Sequence, residues 1–211
     1  MDQIAYFEQM RQKRRNEILT TAKEMILNDS LAAFTMQGLA QTLDISTVTL
    51  YKYYKNSTAV IDDLYQCTLQ QIQCLPDFYP SEEDSLEAAL QCVSLCLDEL
   101  TDQLDNLRLA IILGSYTYQK KEKTVFISFQ FLSDYLHKHF EPILYDALEQ
   151  NSLNTVFSPS DITSQIADIC ASFIQFTALQ KTGPGKEITK KIEGQKTALL
   201  HQIRNILLNN I

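Results

Sequence analysis

The sequence predicts an all-α fold, and three observations predict it. Apolar residues recur at the i, i+3, i+4 spacing of a helix face along almost the whole chain. No strand-like alternation, internal repeat or low-complexity tract interrupts that spacing. Between Thr35 and Lys55, two short patterns, Met36-Leu39-Ala40-Leu43 and Val48-Leu50-Tyr51-Tyr54, flank a tight turn. Two short helices joined in this way make a helix-turn-helix, whose second helix can lie in a DNA major groove. The chain is therefore expected to divide into a three-helix domain at 1–56 and a larger helical domain at 57–211, with a helix over 57–75 connecting them.

With 211 residues, 45% apolar and 21% charged, the chain can bury a sizeable core and is globular rather than disordered. The opening stretch to Arg15 has no apolar core and carries its basic cluster last, unlike a signal peptide. The longest apolar run falls far short of the roughly 20 residues of a membrane span. A cytoplasmic protein without membrane contact is the expectation. The net charge of −8 looks wrong for a DNA binder until it is divided by region. Seven of the 18 basic residues and six of the 26 acidic ones fall within residues 1–58, a balance of +1 that leaves −9 for the remainder. Acid confined to the second region would repel phosphate and keep that region off a duplex.

Five cysteines cannot all pair within one chain, and each sits in an apolar helical context, so reduced buried thiols are expected. Cys92 and Cys96 are one helical turn apart, yet His137, His139 and His201 lie far off without ligand spacing, so no metal or other cofactor is expected. Nor is there a nucleophile–base–acid spacing or a glycine-rich phosphate loop, which argues against an enzyme.

In chain order, Ile18, Leu19, Ala22, Met25 and Ile26 form the inner stripe of a helix from about Met10 to Asn28, with Phe34 plugging the small core. Thr35 and Ser46 can cap the two short helices by accepting from first-turn N–H groups. Asp44 occupies the turn position that most needs positive φ, which Asp tolerates better than most residues. Ser57 is read as the cap of the next helix, which runs to Pro76, and Ser81 with its following acids as the start of another. A helix from about Asn106 to Gln119 follows, then a stripe from Phe129 to Leu148 that Pro142 should kink or restart. Ser158-Pro159 opens a helix carrying Ile162, Ile166, Ile169, Phe173 and Phe176. Gly183-Pro184-Gly185 ends it, and Leu199, Ile203 and Ile206 lie on a final partner stripe. These last two helices read as an antiparallel hairpin with apolar surface to spare. Ile162, Ile166, Ile169, Phe173, Leu199, Ile203 and Ile206 are thus expected at a four-helix interface with a second copy, a homodimer; the alternative is an ordinary core within one chain.

At Ile18-Leu19, Ala22, Thr35, Leu39-Ala40, Ile45-Ser46, Thr49-Leu50-Tyr51, Tyr53-Tyr54 and Lys55, the sequence resembles the tetracycline-repressor (TetR) family of bacterial transcription regulators. The match covers the first quarter of the chain; beyond it the likeness is architectural. Four positions depart from the family pattern: Asp44 replaces the turn glycine, Thr47-Val48 replaces a Lys-Gly opening of the recognition helix, and Ser57 replaces a lysine.

The resemblance implies a DNA-binding regulator, most often a repressor, acting as a homodimer on a palindromic double-stranded operator and released by a small-molecule inducer. Thr35, Tyr53 and Lys55 resemble residues that position the duplex backbone, while Thr47, Val48, Thr49 and Lys52 resemble groove readers. Tyr51 suits either role. Arg14 and Arg15 are expected to face phosphate, and Leu50 and Tyr54 to pack in the core. A ligand cavity in the second domain could be lined by Tyr116, Phe129, Gln130, Phe173 and Thr177. A different reading keeps the DNA-binding dimer but regulates it through a protein partner, with no small ligand.

Overall fold

The computed structural model describes residues 3–81, 84–121, 129–150, 153, 155–180 and 186–209. Ten α-helices occur among them: α1 (Gln3–Asn28), α2 (Met36–Thr42), α3 (Thr47–Tyr51), α4 (Ser57–Ile72), α5 (Ser85–Thr101), α6 (Leu104–Lys121), α7 (Gln130–His139), α8 (Glu141–Glu149), α9 (Pro159–Leu179) and α10 (Lys186–Asn209). A single 3-10 turn, Leu31–Ala33, joins α1 to α2, and the described residues contain no strand. Their contacts divide them into two compact units, residues up to 71 with those from 109 to 121, and the remainder. The helix expected to link two domains, α4, clusters with the N-terminal helices as far as Gln71.

In the first unit α1 packs on α2, and α2 on α3. Ile18, Leu19, Ala22 and Ile26 of α1 are buried with Phe34, Leu39, Ala40, Leu50 and Tyr54, so the apolar spacing does set this core. The first helix is longer than its stripe. It begins at Gln3, and Gln3 and residues 5–13 are exposed. This stretch has few core-forming residues but several good helix formers, and these extend a helix whose later turns are already anchored.

In the second unit α5 is central, lying against α7, α8, α9 and α10. Its buried residues Ala88, Ala89, Cys92, Val93, Cys96, Leu97 and Leu100 cover more than one face, as a helix with neighbours on several sides requires. Here one expectation fails. The principal partner of α9 is α7 and that of α10 is α5, so the last two helices do not form the expected hairpin stripe. The physical reason is competition: α5 offers α10 a broad apolar surface, and periodicity says that a stripe is covered without saying by what.

Several helix ends also differ. Asn56, not Ser57, caps α4 through its side-chain carbonyl, which accepts from the Ala59 N–H at 2.8 Å. Asp84, not Ser81, caps α5, accepting from the Leu86 N–H at 2.8 Å and the Glu87 N–H at 3.2 Å. Ser158 caps α9 as expected, accepting from Asp161 N–H at 3.1 Å. Pro142 restarts the helix, falling in the first turn of α8 after a break at Phe140. The Gly183-Pro184-Gly185 stop lies outside the described residues.

By length and composition α9 could cross a membrane. Its apolar residues Ile162, Ile166 and Ile174 are buried in the chain's own core, which accounts for that composition. Cys92, Cys96 and Cys170 are buried as expected, and burial pushes the Cys92 and Cys170 thiols up to about 12. They are therefore protonated and poorly nucleophilic near neutral pH. Cys67 is only half-buried and Cys74 exposed, because α4 ends at Ile72 and leaves Cys74 beyond it.

Candidate nucleic-acid interface

The helix-turn-helix is held by short polar contacts between near neighbours. Thr35 Oγ1 accepts from the Gly38 N–H at 3.0 Å, capping α2. A Cβ on Gly38 would stand 3.2 Å from that oxygen and 3.3 Å from the terminal methyl of Met25. Glycine in mid-helix costs about 1 kcal/mol relative to alanine, but here it lets α2 close on its cap and on α1.

The end of α2 is a Schellman motif, in which the Ile45 N–H reaches the Ala40 carbonyl at 3.0 Å and the Asp44 N–H the Gln41 carbonyl at 3.1 Å. That motif needs a left-handed residue. Asp44 supplies it with φ 51, in place of the usual glycine. Ser46 then caps α3, accepting from the Thr49 N–H at 3.0 Å, and its oxygen lies 2.8 Å from the Thr49 hydroxyl.

With both ends of the turn fixed, α3 presents a defined face. Leu50 is fully buried and Tyr54 nearly so, whereas Val48 is 68% and Tyr51 53% exposed. Lys52, Lys55 and Thr35 are exposed, and Thr47, Thr49 and Tyr53 are half-buried. Val48 and Tyr51 therefore form the outward apolar surface of α3, opposite the buried Leu50. The Thr49 hydroxyl is less available than expected, because it is engaged with Ser46.

Arg15 does something other than face phosphate. Its Nε donates to Asp63 Oδ2 at 2.8 Å and its Nη2 pairs with Oδ1, a two-point fork to a residue 48 positions away. The Tyr54 hydroxyl donates to the same Asp63 Oδ2 at 2.5 Å. One carboxylate thus ties together α1, Tyr54 three residues past α3, and α4. Burial alone would raise the Asp63 pKa, but the hydrogen bonds from Arg15 and Tyr54 outweigh it and hold the carboxyl below its ordinary value. Burial, reinforced by Asp63, pushes the Tyr54 hydroxyl up, so it remains a donor. Arg14 stays at the surface, 2.8 Å from Glu17 in an i, i+3 pair. Nothing in the local pattern around Arg15 points to Asp63, so sequence reading missed it. A basic residue at helical spacing above a buried stripe was the only available hint.

The other expected sites lie as follows. Tyr116 is half-buried in the first unit, whereas Phe129, Gln130, Phe173 and Thr177 belong to the second. Gln130 is exposed and donates to Asp134 at 2.8 Å; the Phe129 ring lies 6.0 Å from that of Phe131. Thr177 is buried, its hydroxyl donating to the Phe173 carbonyl at 2.7 Å. Ile162, Ile166, Leu199 and Ile203 are buried within the chain itself, which leaves them no surface to offer a second copy. Ile169, Phe173 and Ile206 are half-buried, and the exposed apolar residues of these helices are Phe176 at 61%, Leu179 and Leu208.

No protein-family model matches this sequence, and no curated protein matches it. Solved structures do match. A TetR-family transcriptional regulator from Pseudomonas syringae pv. tomato is similar with a TM-score of 0.59 at 14% identity, over 93% of this chain and 96% of that one. The TetR-family regulator PfmR from Thermus thermophilus gives 0.56 at 14% identity, over 87% and 97%. A third, from Marinobacter aquaeolei, gives 0.54 at 14% identity, over 92% and 98%. The shared feature is the fold: an all-helical chain with an N-terminal helix-turn-helix and a helical C-terminal domain.

Proposed function

We propose that this chain, which has the fold of TetR-family transcriptional regulators, is a sequence-specific DNA-binding regulator rather than an enzyme. It acts as a homodimer on a palindromic operator, represses transcription, and is released by a small-molecule inducer. The observation that carries this reading is the α3 surface: Val48 and Tyr51 exposed, Lys52 beside them, on a helix fixed by the Ser46 cap and the Asp44 turn. Val48 and the Thr47 methyl suit apolar contact with a thymine methyl, and Lys52 suits guanine acceptors in the major groove. Thr35, Tyr53 and Lys55 would fix the register on phosphates.

The second copy would cover the apolar end of α9, where Phe176 and Leu179 are exposed and Ile169 and Phe173 half-buried. An inducer acts by binding better to a conformation in which two recognition helices no longer match their half-sites. Phe129, Gln130, Phe173 and Thr177, which share the second unit, are proposed as lining its site. The same exposed apolar residues also suit a protein partner, which is the rival mode of regulation. A thermal-shift screen separates the two, since a ligand that binds only the folded state at about 100 times its Kd adds about 2.7 kcal/mol.

The DNA reading is tested by an electrophoretic shift with DNA flanking the protein's own gene. A discrete band competed by that DNA but not by scrambled DNA is expected; equal competition by both contradicts specific regulation. Lys52→Ala should reduce the preference between sequences, and Lys55→Ala should weaken all of them alike. Identical behaviour of the two variants would overturn the division into readers and positioners.

A further inference from the structure

Beside the recognition helix lies a cleft of about 390 Å³, lined by Glu8, Arg11, Gln12 and Arg15 of α1 and by Tyr53, Tyr54 and Asp63. The α1 residues fall at spacings of three and four, so they share one face of that helix. Their outer members belong to the exposed stretch that runs ahead of the buried core. Arg15, Tyr54 and Asp63 are satisfied by one another, and the charges of Arg15 and Asp63 cancel. Arg11 is different: it is exposed and makes no ion pair among the described residues. Tyr53 brings a phenolic hydroxyl that has no hydrogen-bond partner among them either.

We propose that this cleft takes one phosphate of the DNA backbone, with Arg11 as its cation and the Tyr53 hydroxyl as its second donor. The N-terminal part of α1 then becomes a DNA-contacting element beyond the helix-turn-helix. The inference rests on the DNA-binding reading above. Its warrant is continuity and charge: Tyr53 lies two residues past α3, so a phosphate held there borders the groove that α3 enters. The Arg guanidinium fork matches phosphate oxygens, and a tyrosine hydroxyl donates to them without reading sequence. Glu8 sits on the same wall as Arg11 and opposes the anion, which gives the site an internal control of opposite sign.

The test uses the full-length protein and fluorescence anisotropy with its operator and with scrambled DNA, across a salt series. Arg11→Ala should weaken both DNAs by the same factor and make the log–log salt slope shallower by about 0.9, the loss of one phosphate. Glu8→Gln should tighten both. Replacing single phosphates of the operator by neutral methylphosphonates should locate one position at which Arg11→Ala and Tyr53→Phe no longer have any further effect. Arg11 is exposed, so an unchanged melting temperature is expected for Arg11→Ala. Unchanged affinity and slope in Arg11→Ala, with the wild type still selective for its operator, would overturn this inference and leave the DNA reading intact. An effect of Arg11→Ala that no single neutral phosphate removes would also overturn it, pointing to diffuse charge. A wild type that does not discriminate operator from scrambled DNA would remove the reading beneath it.

Discussion

The short helix α3 and the long helix α9 both carry an exposed apolar residue, Val48 at 68% and Phe176 at 61%, but the two helices are held in opposite ways. Five residues long, α3 has one fully buried side chain, Leu50; its direction is set by the Ser46 cap and by the left-handed Asp44. By contrast, α9 spans 21 residues and is held by apolar burial against α5, α7 and α8. Short-range polar geometry aims one helix, and competition among apolar faces places the other. Substitutions should therefore hurt the two regions through different mechanisms and by different amounts.

The largest effect is expected in α9. Ile166→Ala removes a side chain with no exposure and should cost about 2–5 kcal/mol of stability. The loss should not depend on protein concentration, because Ile166 lies within the chain's own core. A concentration-dependent loss, read by denaturation at several protein concentrations, would return Ile166 to the subunit interface. Phe176→Glu should do the reverse, leaving the chain folded and shifting it to monomer in sedimentation.

Next is the carboxylate that joins α1 and α4. Asp63→Asn should cost about 1.5–3 kcal/mol near neutral pH, since hydrogen bonds to a charged group are lost. The pH dependence has a definite sign. The folded Asp63 pKa lies below its ordinary value, so its contribution is present above that ordinary value and is lost as pH falls through the lower folded one. The Asn variant should therefore lose its deficit in acid, and its stability curve should meet the wild type there.

In the turn, Asp44→Val should cost about 1–2 kcal/mol, because a β-branched residue resists φ 51. Ser46→Ala should cost about 1 kcal/mol as the Thr49 N–H loses its acceptor. Unaltered melting in both variants would mean that packing, rather than the caps, aims α3.

This contrast also explains what could be read from the sequence. The bonds that Thr35, Asp44 and Ser46 set up span three to five residues, so their residue types at that spacing are enough to identify the turn. The caps of α4 and α5 slipped because Asn56-Ser57 and Ser81 to Asp84 each offer several competent residues, and only the backbone path chooses among them. Arg15 looked like a phosphate ligand because its real partner is 48 residues distant. The α9 and α10 stripes were correctly seen as apolar, but their cover by α7 and α5 depends on relative positions that no local pattern encodes. Gly38 lowers helix propensity on its own, and what its missing Cβ leaves room for, the Thr35 oxygen and the Met25 methyl, is fixed by packing on α1 and not by local pattern.

Selection of bound fragments from random double-stranded DNA by the purified full-length protein tests the central claim most directly. The account predicts enrichment of an inverted repeat whose half-sites are read by Thr47, Val48 and Lys52, with the preference weakened in Lys52→Ala. Recovery of fragments with no common sequence, at affinities no better than for the starting pool, would contradict it.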